Sequence, residues 1–137
     1  MIGMTLIDDS PASLPVADDE LRGFLDDLIG VAVREQLWIL YFDDDDVVIP
    51  VMTPIDDIPL GDPRRVLRPV SRFIAATATR VGAATVALVW EEPRGDESRP
   101  PSSADAAVCS ALLDECGVRL RGQFRSTESG VSEVLRV

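Results

Sequence analysis

Apolar positions along the chain change period several times, and each change marks an element. Leu21, Phe24, Leu25, Leu28 and Ile29 recur at the spacing of one helical face. Asp18 is the expected cap, Asp18, Asp19 and Glu20 suit the positive end, and Gly30 is the expected stop. Residues 37–42 (LWILYF) are apolar without alternation, which predicts a strand buried on both faces. Four aspartates at 43–46 form a turn, and residues 47–53 return as a second strand in which Pro50 marks an edge position or a bulge. After a loop over 54–61, Asp62-Pro63 opens a second helix with Val66, Leu67, Val70, Phe73, Ile74, Thr77, Ala78 and Val81 on one face. Pro69 should kink that helix or delay its start, and Gly82 should end it.

Residues 85–90 (TVALVW) read as a central strand. A third helix is predicted over 103–116, with Cys109, Leu112, Leu113 and Cys116 inward and Gly117 after it. Residues 118–125 alternate: Val118, Leu120 and Phe124 should face the core, and Arg119, Arg121 and Arg125 the solvent. A turn over 126–130 leads to a last strand over 131–137. Residues 1–17 carry two prolines and little pattern and are expected to be a flexible leader before a single globular domain, 18–137. The order α-β-β-α-β-α-β-β predicts an α/β (α+β) fold, with one mixed sheet flanked by about three helices.

Composition narrows the chemistry. The chain has 137 residues and a net charge of −11, which disfavours nucleic acid and anionic membrane surfaces as partners. No apolar run has the length of a membrane span and no secretory signal opens the chain, so the expected location is cytoplasmic. There is no histidine and no lysine; all basic residues are arginine. Histidine-dependent triads, Schiff-base chemistry and the P-loop lysine are thereby excluded. Cys109 and Cys116 stand two helical turns apart, about 10.5 Å along the axis, beyond disulfide reach, and both read as reduced core residues. The four aspartates lack the alternation, glycine and distal glutamate of a calcium loop, so a solvated turn explains them.

The stretch from Thr85 to Leu113 is where a site is expected: a central strand, a polar loop, then a helix start. It contains Trp90-Glu91-Glu92-Pro93-Arg94-Gly95-Asp96 and then Pro101-Ser102-Ser103-Ala104-Asp105. This resembles the signature of the JAB/MPN metalloprotease-like domains, in particular their RadC-type members: His-x-His-Pro-x-Gly-(Asp), then Pro-Ser-x-x-Asp. It also resembles histidine-free actinobacterial proteins of unknown function. Pro93, Gly95, Asp96, Pro101, Ser102 and Asp105 fit the motif, and Glu35 lies where the family's early glutamate falls. The likeness spans roughly residues 34–137 and implies a JAB/cytidine-deaminase-like sandwich. Trp90 and Glu92 stand where the family has its two histidines. An indole, a carboxylate and an aspartate do not make a three-ligand zinc site. The resemblance therefore implies a scaffold without the hydrolase, with no catalytic residues, no metal ligands and no cofactor.

Helix capping explains part of the motif without any site. Ser102 can cap the first-turn amides, and Asp105 can reach back to the Ser102 N–H. Three functional readings follow. The first is a non-catalytic JAB-like domain that binds a protein partner or small ligand through Glu35, Trp90, Glu92, Ser102 and Asp105. The second is a hydrolase in which Glu35, Glu92 and Asp105 hold Mg²⁺ or Mn²⁺. The third is a homo-oligomeric assembly protein, with a second copy as partner through the edge after Pro50 or the last strand.

Overall fold

A strand that is apolar on both faces needs a cover on each side, and the fold supplies one. The computed structural model describes residues 5–6, 14–59, 61–94 and 103–136. The elements run β1 (Thr5–Leu6), α1 (Asp18–Leu28), β2 (Gln36–Phe42), β3 (Val48–Ile55), α2 (Pro63–Val81), β4 (Thr85–Glu91), α3 (Ser103–Glu115), β5 (Leu120–Thr127) and β6 (Gly130–Arg136). From α1 onward this is the expected order. The strands form one six-stranded mixed sheet, β1-β3-β2-β4-β5-β6. Among the described residues only β4 and β5 run parallel; the other neighbouring pairs are antiparallel.

Side-chain alternation sorts the central strands onto two cores. Leu37, Ile39 and Tyr41 of β2, with Val86, Leu88 and Trp90 of β4, pack under α2 and α3. Leu40, Phe42, Ala87 and Val89 point the other way and pack under Leu21 and Leu25 of α1. Among the described residues no helix is long and apolar enough to cross a membrane.

Several details depart from the sequence reading. Within the expected leader, Thr5 and Leu6 pair with Met52 and Val51 of β3, and Pro15 bridges Val47. Helix α1 is capped by Ala17; Glu20 reaches back to accept the Ala17 N–H at 3.2 Å, which leaves the Asp18 side chain for Arg121. Helix α2 begins at Pro63, with Asp62 as its cap, and runs through Pro69 without a delayed start. The irregularity in β2–β3 pairing falls opposite residues 49–51, around Pro50, as a bulge there would require. Helix α3 ends at Glu115, so Cys116 lies beyond it and is exposed, while Cys109 is buried.

The largest correction concerns the arginine stripe. Val86 pairs with Leu120 but Ala87 pairs with Gly122, so Arg121 is an extra residue in the ladder. One inserted residue reverses the parity of everything after it. Leu120 therefore packs under α2 and α3, and Phe124 under α1. Arg121 is drawn in: its guanidinium lies 4.7 Å from the Phe42 ring centroid and donates to the Val16 carbonyl at 2.6 Å and to Asp18 at 2.8 Å.

Two outcomes follow from this packing. Replacing Arg121 by Ala removes the cover of Phe42 and the ties to the start of α1, and should cost about 1–3 kcal/mol in urea unfolding. Burial, with the Asp105 carboxylate nearby, pushes the Cys109 thiol up to about 12. A thiol reagent at mildly alkaline pH should therefore label Cys116 quickly in the native protein, and Cys109 only after unfolding.

Candidate functional site

The end of β4 meets the start of α3 through a relay of buried amide and indole groups. Trp90 is 3 % exposed, and its indole N–H donates to Gln123 Oε1 at 2.9 Å. Gln123 Nε2 donates in turn to the Ala106 carbonyl at 2.7 Å. Ala106 follows Asp105 in the first turn of α3. The relay thus joins β4, β5 and α3, and each polar group in it has a partner inside a core that would penalise a lone one.

Glu91 and Glu92 follow, both buried. Glu91 Oε2 accepts the N–H groups of Val33 at 2.6 Å and Arg34 at 3.1 Å, and Oε1 accepts Gln36 Nε2 at 2.8 Å and the Trp38 indole N–H at 2.9 Å. Burial pushes this carboxyl up, but the hydrogen bonds from Val33, Gln36, Trp38 and Arg34 outweigh it and hold it below its ordinary value. The Glu92 N–H donates to the Ser126 carbonyl at 2.8 Å and so extends the parallel ladder by one step. Its Oε1 accepts the Arg94 N–H at 2.7 Å, while Oε2 is buried with no hydrogen-bond partner among the described residues.

The sequence-derived residues meet in part. Gln36 pairs with Glu91, so Glu35 lies one step beyond, level with Glu92. Glu35 and Trp90 line one small recess of about 30 Å³, together with Gln36, Asp56 and Glu91; that is space for about one water. Asp105 is half-buried on α3, one turn before Cys109. Ser102 lies outside the described residues, as does the loop over 95–101. Glu35, Glu92 and Asp105 do not form the metal-binding group that the hydrolase reading requires; among the described residues no three His, Cys, Asp or Glu side chains could hold an ion together. A zinc site does not fit either, since the Trp90 indole offers a committed donor and no lone pair to a metal.

Sequence reasoning missed Glu91, Gln123 and Ser126. By simple alternation Gln123 falls on the polar face of the 118–125 strand; the inserted residue at Arg121 turns it inward. A wider groove of about 890 Å³ opens at the other end of the sheet, where Asp18, Asp46 and Asp114 face Arg119 and Arg121. No known family model matches the chain, and neither does any curated protein.

The Glu91 carboxylate makes stability depend on acid. Its folded value lies below the unfolded one, so its contribution is complete above the unfolded value and is lost as pH falls through the folded one. Glu91→Gln should cost about 2–4 kcal/mol at neutral pH, because an amide nitrogen would replace an acceptor facing two donors. It should also flatten the acid limb of the stability profile, read by urea unfolding across the carboxylate titration range.

Proposed function

We propose that the chain is a non-catalytic JAB-like binding domain that engages a protein partner or small ligand where β4, β5 and α3 meet. The fate of Trp90 carries this reading. At the position where the JAB pattern presents a metal-binding imidazole, the indole faces the core and its N–H is committed to Gln123. That position works as a structural pin between strand and helix. Glu92, at the second histidine position, keeps a buried carboxylate oxygen without a partner among the described residues, an unmet acceptor that suits a donor group from outside. The exposed Glu35 and half-buried Asp105 flank this end of the sheet.

Thermal unfolding with millimolar Zn²⁺, Mn²⁺ or Mg²⁺ tests the loss of metal chemistry. The midpoint should stay within about one degree of the metal-free value. A rise of several degrees that disappears in Glu92→Gln or Asp105→Asn would restore the metal-dependent hydrolase and overturn the reading. A photo-crosslinking residue at Arg94 should form adducts with a protein in cells, and one at the exposed Arg72 of α2 should not. Adducts only from Arg72 would move the binding surface elsewhere.

A further inference from the structure

The connection between α1 and β2, residues 29–35, is tied down along its backbone yet exposes apolar side chains. Gly30, at φ +68°, accepts the Ser126 hydroxyl at 2.7 Å. The Ala32 N–H donates to the Thr127 carbonyl at 3.0 Å, and the N–H groups of Val33 and Arg34 donate to the Glu91 carboxylate. Ala32 is buried, but Val31 is 57 % exposed and Val33 is 81 % exposed. Valine has little rotamer freedom, and this backbone is already ordered, so contact with the two side chains loses little entropy.

The surroundings are mainly acidic, with Arg22 of α1 occupied at the Val131 carbonyl at 3.2 Å. The last turn of α1 carries Asp26 and Asp27 and no basic residue, so both carboxylates stand at the negative end of the helix. Asp26 is held there by the Val131 N–H at 3.0 Å. Glu128 is exposed beside Thr127, and Glu35 is exposed at the end of the connection. Arg34, the cation of this segment, pairs with Asp56 at 2.9 Å. A second copy would bring like charges together on a chain of net charge −11, which disfavours self-association here.

We propose that Val31 and Val33, on a connection flanked by the exposed Asp27 of α1 and Glu128 of the β5–β6 turn, form the docking surface for a partner polypeptide segment that presents an Arg or Lys beside an apolar side chain. This rests on the binding-domain reading above and adds a surface at the same end of β4, on the α1 side. The valines give contact area without a desolvation penalty, and the carboxylates select a basic neighbour and speed encounter.

The test is selection from a phage-displayed random-peptide library on the full chain. Enriched sequences should place a basic residue next to an aliphatic or aromatic one. Synthetic versions should bind about tenfold more weakly to the Val31→Ser/Val33→Ser double variant and lose affinity as salt rises. They should bind Arg72→Ala as they bind the parent. Asp27→Asn/Glu128→Gln alters charge alone and should weaken binding several-fold, which covers the case of a serine variant that folds poorly. Enrichment without basic residues, no enrichment, or affinity indifferent to both double variants overturns the proposal. Binding lost in Glu92→Gln but kept in both double variants overturns this surface while leaving the binding-domain reading intact. A dimer by light scattering that the serine variant dissolves makes a second copy the occupant and also overturns the proposal.

Discussion

A buried charge must be surrounded by donors, and the Glu91 carboxylate shows how far that requirement can organise a chain. Left bare in the core it would cost several kcal/mol. It is met by two backbone amides and two side chains from one short segment, residues 33–38. That segment is consequently held to the end of the central strand. The entry to β2, the last residue of β4 and the connection from α1 become one unit. The neighbouring Ser126 and Thr127 of β5 join it through Gly30 and Ala32.

The other face of the same strand end uses neutral groups. Trp90, Gln123 and the Ala106 carbonyl form a chain in which each donor has an acceptor. Adjacent residues of β4 thus anchor opposite layers: Glu91 serves the α1 side and Trp90 the α3 side. This is a direct result of strand alternation. The start of α3 is thereby tied to β4 and β5 through packed side chains.

Much of the fold was legible in the sequence because the signals were local and redundant. The runs LWILYF and TVALVW announced central strands, and Asp62-Pro63, Gly82 and Gly117 marked helix limits that the structure keeps within a residue or two. What could not be read depended on register or on distant partners. The additional residue at Arg121 reverses the facing of Phe124, and no local pattern reports it. Thr5 and Leu6 make too short a strand to carry a period. Two consecutive glutamates after Trp90 look alike in sequence, yet one is saturated with donors and the other keeps an oxygen unpaired among the described residues. At the candidate site the order of parts was visible, and Glu35 and Trp90 do share a recess. The internal role of the indole was not visible, because Gln123 is 33 residues away.

The parallel pairing of β4 with β5 has a temporal meaning. Strands β2, β3 and β4 join by antiparallel contacts that a growing chain can complete before α3 exists. β5 reaches its place only after the crossover through α3 has been made, because a tight hairpin cannot join a parallel pair. Gln123, Ser126 and Arg121 all arrive on that strand. The groups that pin Trp90, Gly30 and Phe42 therefore share one strand, and the end of β4 has its final form only once β5 is docked beside it.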